Sequence, residues 1–178
     1  MIRFISNILQ KKLFQFGSNS LSISIAKRWG VKIGNNCRIF NCSFGSEPFL
    51  VSIGNNCEIT SGVKFITHDG ATWIFRKNKV FSRTKYGPII IKDDCMIGIN
   101  SIIMPNIEIG PNSIVGAGSV VTKNIPPNTV YAGNPARFIC TVGEYLEKCK
   151  ANKYTIPNEL PFNDKRILLE SMFKHKLR

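Results

Sequence analysis

From Ile91 onward an aliphatic side chain returns at every sixth residue: Ile91, Ile97, Ile103, Ile109, Val115 and Val121. About one residue in four of this chain is Ile, Val or Leu, so six hits at a fixed spacing arise by chance with a probability on the order of 10⁻⁴ to 10⁻³. Four residues after each aliphatic stands a small or apolar residue: Cys95, Ser101, Ile107, Ser113, Ser119 and Ile125. The same frame is present upstream, at Ile53, Ile59 and Phe65 with Cys57 and Val63, and at Ile33 and Ile39 with Cys37 and Ser43. A helix repeats at 3.6 residues and a strand at 2, and neither alone sustains a period of six. A short strand followed by a tight corner does. Three such units close a triangular coil of about 18 residues whose aliphatics stack inward on those of the next coil. Gly34-Asn35-Asn36, Gly54-Asn55-Asn56, Asp93-Asp94 and Gly110-Pro111-Asn112 supply left-handed or Asx-type corners. The spacing therefore predicts an all-β solenoid, a parallel β-helix, over residues 31–140.

Two breaks in the frame carry information. The step from Ile39 to Ile53 implies a two-residue insertion around residues 45–50, and the step from Phe65 to Ile91 implies a long excursion loop over 70–87. Unstructured connections of more than about 12 residues in a compact domain are usually functional or disordered. This one carries Arg76, Lys77, Lys79, Arg83 and Lys85 with Trp73, Phe75, Phe81 and Tyr86 and no acid, a composition that argues against plain disorder.

The flanks differ from the repeat. Residues 1–30 read as an N-terminal helical segment, with Ile2, Ile5, Ile8, Leu9, Leu13 and Phe16 on an apolar stripe and Arg3, Lys11 and Lys12 off it. Residues 141–178 read as a C-terminal cap of two short helices, over 141–151 and 164–177, separated by Pro157 and Pro161. The 24 Lys and Arg against 11 Asp and Glu give a formal charge of +13, and the first thirty residues hold no acid. Such an excess predicts an anionic partner without choosing among nucleic acid, phospholipid, acidic glycan and phosphorylated cofactor. The six cysteines form no C-x-x-C pair and only two histidines are present, so packed, reduced thiols are expected in place of a metal site. No apolar run reaches the ~18 residues of a membrane span, and Lys11 and Lys12 interrupt the first apolar stretch.

The run Gly116-Ala-Gly-Ser-Val-Val-Thr-Lys123, followed by Ile125-Pro-Pro-Asn-Thr-Val-Tyr-Ala-Gly-Asn-Pro-Ala-Arg137, resembles the last coil of the hexapeptide-repeat acetyltransferases. The resemblance covers about residues 31–140 and is greatest to the maltose, galactoside, xenobiotic and O-antigen or capsule O-acetyltransferases. It implies a left-handed parallel β-helix, an exception to the usual right-handed crossover. It further implies a homotrimer with acetyl-CoA between subunits as co-substrate and no metal. On that basis Ile99 and Ala117 are expected at the pantetheine, Thr122 and Lys123 at the 3′-phosphate and Arg137 at the adenosine end. Met96 replaces the Trp that many relatives carry in V-W-I-G. Gly98, Ala117 and Gly118 either open the backbone to the pantetheine arm or merely suit tight corners.

Acetyl transfer to a hydroxyl needs a base near neutral pKa to take the alcohol proton and return it to the departing thiolate. His175 lies between Lys174 and Lys176 in a polar tail, whereas His68 stands where a repeat strand ends and the long loop begins, matching the family's catalytic histidine. Neighbours on a strand face opposite ways, so Asp69 is expected to anchor the loop, with a backbone carbonyl as another means of orienting His68. The acceptor-side candidates are Asn41, Asp69, Trp73 and Arg76, with Asn41 equally readable as a corner residue. The resulting expectation is an O-acetyltransferase acting on a carbohydrate or lipid-linked glycan in surface polysaccharide synthesis. Such an enzyme would be cytoplasmic, with a peripheral inner-membrane contact through its basic N-terminal helix. The alternative keeps the reaction and takes an antibiotic as acceptor. A γ-class carbonic anhydrase needs three zinc-binding histidines, and a non-catalytic basic binding protein or scaffold is the remaining alternative, disfavoured because no nucleic-acid recognition pattern accompanies the positive charge.

Overall fold

The computed structural model describes residues 12–14, 17–77 and 81–176. The described chain divides into two units, residues up to 142 and residues 143–178. In the first unit the strands visit three sheets in rotation. One sheet holds β1 (Lys32–Ile33), β3 (Val51–Ile53), β8 (Ile89–Ile91) and β11 (Ile107–Ile109). The second holds β2 (Arg38–Ile39), β4 (Glu58–Ile59), β9 (Met96–Ile97), β12 (Ile114–Val115), β14 (Thr129–Ala132) and the antiparallel β15 (Arg137–Thr141). The third holds β5 (Lys64–Phe65), β10 (Ile102–Ile103) and β13 (Val120–Val121). Within these three sheets all neighbours other than β15 pair in parallel, and the register stacks one coil on the next, as in Ile53↔Ile91, Ile59↔Ile97 and Phe65↔Ile103.

All twelve repeat residues from Ile91 to Ile125 are buried, so the period of six is the period of the core. The first coil departs from it. Ser43 is exposed and pairs with Lys64, while Cys42 and Phe44 on either side are buried. The corner after Ile39 is one residue short, so Cys42 takes the small inward position expected for Ser43. Phe44 stacks on Phe65 at 5.2 Å with the rings 9° from parallel. The slip leaves three extra residues before Val51, one more than the spacing alone implies.

The corners divide their labour between two residue types. Asn36, Asn56, Asp94, Asn112 and Asn128 take the left-handed conformation, with φ between 53° and 60°. Their side chains form a ladder, with Asn36 Nδ2 donating to Asn56 Oδ1 at 2.7 Å, Asn56 Nδ2 to Asp94 Oδ1 at 3.1 Å and Asn112 Nδ2 to Asn128 Oδ1 at 2.8 Å. The preceding glycines are not left-handed. Gly98, for example, is needed because a Cβ there would stand 2.5 Å from the Ala117 nitrogen of the next coil. The cysteines behave as packing groups: all six are free thiols, and Cys37, Cys57 and Cys95 point Sγ at carbonyls of the adjoining coil at 3.0–3.1 Å. Burial pushes the Cys42 thiol up to about 12.

Helix α1 (Asn19–Arg28) closes the first coil, its N-terminus capped by Ser18. The Asn19 amide donates to Cys37 O at 2.9 Å and accepts from the Ile39 nitrogen at 2.7 Å, satisfying the edge of β2 that no strand covers. Of the apolar stripe expected before it, Ile2, Ile5, Ile8, Leu9 and Phe16 lie outside the described residues, as do Arg3 and Lys11. Leu13 is exposed and Phe14 buried. The excursion is rooted by two short antiparallel strands, β6 (His68–Asp69) and β7 (Lys85–Tyr86), with a 3-10 turn over Gly70–Phe75. Lys79 lies outside the described residues.

Helices α2 (Val142–Lys150) and α3 (Phe162–Phe173) account for the two C-terminal segments expected from the sequence. Tyr154 packs on Phe173 at 4.9 Å and carries the Lys176 ammonium over its ring. No helix among the described residues is long and apolar enough to cross a membrane.

Candidate active site

The site is built where two coil irregularities meet. Gly45, at φ 68°, turns the extra residues of the first coil against the second; a Cβ there would lie 3.0 Å from Phe65 O. This turn presents Glu47. In the next coil, Thr67 is buried and its hydroxyl donates to Glu47 Oε2 at 2.6 Å. His68 Nδ1 donates to the same oxygen at 2.9 Å. The Thr67 hydroxyl, followed by His68, holds the Glu47 carboxyl below the usual carboxylate range. An ionised carboxylate only accepts, so the His68 proton sits on Nδ1 and the lone pair of Nε2 is left for substrate. The imidazole remains 39% exposed while Glu47 is 17% exposed, which makes the histidine the accessible member of the pair. The Tyr86 ring stands 5.9 Å from the imidazole.

Glu47 is the residue that sequence reasoning missed. Asp69 lies next to His68, but its Oδ1 accepts from the Ala71 nitrogen at 2.9 Å and caps the 3-10 turn. The orienting group is neither Asp69 nor a backbone carbonyl. The available signal was the insertion before Val51, because a side chain displaced from a coil corner reaches the corner stacked on it.

The coenzyme-side candidates fall on two corners. The register Phe65↔Ile103↔Val121 stacks Thr67 and His68 on the same corner as Thr122 and Lys123, two coils or roughly 10 Å apart along the stack. Thr122 and Lys123 are exposed. Gly98, Ile99 and Ala117 occupy the corner at the other end of β10 and β13. There Gly118 N donates to Ile99 O at 2.8 Å. Gly98 is buried beneath Ala117, so its size serves coil stacking. Ala117 and Ile99 are exposed, and a Cβ on Gly118 would meet nothing within 4 Å. This corner therefore has open backbone that fits a narrow ligand arm. Met96 is half-buried on β9 between Glu58 and Ile114, and Arg137 is exposed on β15 with Nη1 donating to Ala136 O. Asn41 lines a cleft of about 490 Å³ with Trp29, Phe44, Ser46 and Pro48, and the turn bearing Glu47 forms one wall. Trp73 and Arg76 stand on the turn after Asp69. The described residues contain no cluster of three or more metal-ligating side chains.

Comparison with known proteins gives the arrangement a family. The model described as bacterial transferase hexapeptide (six repeats) matches residues 88–123. Protein CapG of Staphylococcus aureus is 47% identical over 92% of this chain and 96% of its own length. The chain belongs to the hexapeptide-repeat acyltransferase family. Among solved structures, a galactoside acetyltransferase in complex with coenzyme A matches 86% of this chain and 88% of its own, with a TM-score of 0.62 and 24% identity. That likeness is one of fold. The polySia-specific acetyltransferase NeuO shares 26% identity, with a TM-score of 0.52 over 83% of this chain and 64% of its own. The family's repeat accounts for the parallel coils and their six-residue period.

Proposed function

We propose that this acetyltransferase transfers the acetyl group of acetyl-CoA to a carbohydrate hydroxyl during synthesis of a surface polysaccharide, with His68 as general base. The observation that carries the reading is the His68–Glu47–Thr67 cluster at a loop base. Its bare Nε2 is paired through the other ring nitrogen to a carboxylate that stabilises the protonated imidazole. His68 takes the proton of the acceptor hydroxyl as its oxygen bonds the acetyl carbon, and returns that proton to sulfur as the carbon–sulfur bond breaks. Acetyl-CoA supplies the activated acyl carbon. The remaining tasks belong to the chain, with the open backbone at Ala117 and Gly118 and the side chain of Ile99 holding the pantetheine arm. Thr122, Lys123 and Arg137 meet the phosphates and the adenosine end.

These groups lie on two corners, so we take one site to combine the His68 corner of one subunit with the Ala117 corner of its neighbour in a homotrimer of left-handed β-helices. Similarity to a protein named CapG supports the capsule side of the reading, and NeuO, described as polySia-specific, supports a glycan acceptor. The test is His68→Ala. It should lower kcat by roughly 10²–10⁴ while acetyl-CoA affinity stays within a few-fold, because the base acts on the acceptor proton and not on the coenzyme. Turnover near that of the wild type would refute the assignment.

A further inference from the structure

We infer that the turn following His68 binds an acid group of the acceptor, a phosphate ester or a carboxylate, in a hollow formed by Trp73, Ile74, Arg76 and Lys77. The inference rests on His68 being the transfer site. The hollow has a volume of about 450 Å³. Trp73 is 69% exposed and Ile74 70%, so the turn offers apolar surface that no other described residue covers. The Arg76 guanidinium lies 4.8 Å from the centre of the Trp73 ring, and its Nη2 donates to Thr84 Oγ1 at 3.3 Å. The stack and the hydrogen bond fix the guanidinium plane with donors left over.

These two cations, like most Lys and Arg on the described surface, lack a counter-ion and are open to an external anion. Arg38 pairs with Glu58, Lys92 with Glu108, Lys150 with Glu147 and Arg166 with Glu170. Arg76 and Lys77 have no carboxylate partner among the described residues, and Asp69 is engaged with the Ala71 nitrogen. In the same turn the Thr72 hydroxyl is buried with no partner. A planar, fixed guanidinium beside an ammonium suits phosphate or carboxylate oxygens, and the indole face suits the sugar ring that carries them. The turn starts at Asp69, so an anion held there places its neighbouring hydroxyls within a sugar unit or two of His68. Lys123 lies two coils away and serves the coenzyme phosphates in the proposed reading, which leaves this hollow to the acceptor.

The experiment compares the wild type with Arg76→Gln/Lys77→Gln on a uronic-acid oligosaccharide, a glycosyl diphosphate and a neutral oligosaccharide of the same length, read by thiol release. The expected result is that the ratio of kcat/KM for one anionic acceptor over the neutral one falls about tenfold in the variant, and that the difference narrows at high salt. The acceptor that loses identifies the acid group. Equal losses on all three acceptors, or a rise confined to the KM of acetyl-CoA, would overturn the inference. A wild type that releases thiol with none of them counts against the His68 reading. The hollow is then judged by binding: inorganic pyrophosphate should change tryptophan emission in the wild type but not in Trp73→Phe, and no change in the wild type refutes the site.

Discussion

Replacing Glu47 by Gln tests the arrangement where it is most specific, since the substitution keeps the shape and removes the charge. In the wild type one carboxylate oxygen accepts from both Thr67 Oγ1 and His68 Nδ1, at 2.6 and 2.9 Å. In the proposed mechanism the imidazole becomes positive beside that oxygen during transfer. Two unit charges about 4 Å apart interact by about 4 kcal/mol at an effective dielectric constant of about 20. His68 is 39% exposed, and solvent screening reduces this to about 2 kcal/mol. At about 1.4 kcal/mol per decade, kcat should fall about 30-fold. Turning the Gln amide nitrogen toward His68 would also favour the tautomer with the proton on Nε2, which cannot act as a base, and so can only add to the loss. The KM for acetyl-CoA should not change. A variant with kcat within twofold of the wild type, or one whose loss tracks coenzyme affinity, would refute the positioning role. The same carboxyl makes stability depend on pH. Its folded pKa is lowered, first by the Thr67 hydroxyl and then by His68, so the unfolded chain takes up the proton at a higher pH than the folded one. The stabilisation is complete above the ordinary carboxyl value of 4.5 and is lost as pH falls through the lowered folded value. The difference in Tm between the wild type and Glu47→Gln should therefore be greatest near neutrality and disappear in acid.

Two further outcomes bear on the coenzyme side. Lys123→Glu should raise the KM for acetyl-CoA roughly tenfold at low ionic strength and progressively less as salt is added, because the lysine is exposed and in the proposed reading meets phosphate in water; no change at low salt would remove it from the site. Light scattering should give the mass of three chains, and a single-chain mass under turnover conditions would refute a site divided between subunits.

The regular part of this fold was legible because parallel coils stacked in register write their core into one dimension. From Ile91 to Val121 each buried aliphatic answers to a neighbour 18 residues away in the adjoining coil, as in Ile91↔Ile109, Ile97↔Val115 and Ile103↔Val121, so these side chains could be placed from the sequence. Legibility failed where the offset changes. Ser43 fits the period in number, yet the short corner after Ile39 hands the inward positions to Cys42 and Phe44, and the choice is made by packing against Phe65, which no local pattern encodes. The glycines were recognised as corner residues, but their need comes from the adjoining coil more than from their own backbone. Glu47 was illegible for a related reason. It is 21 residues from His68, within no motif, and only the register of the stack shows that the two meet. It is also the first acid in the chain, which marks it in hindsight.

The position of the site follows from the same register. At an ordinary corner the polar groups are consumed by the coil on either side, as in the Asn36–Asn56–Asp94 run and the Asn112–Asn128 pair. Such a corner has no side chain to spare for chemistry. The insertion that carries Glu47 and the excursion that begins at His68 interrupt one and the same corner in consecutive coils, a corner apart from the asparagine ladder, and there the displaced side chains can turn to each other and to a ligand. A shortened insertion would restore the corner and take Glu47 out of reach, while leaving the inward aliphatics in place. In this chain the repeat confers stability, and catalysis is assigned to the corner where the repeat is broken twice.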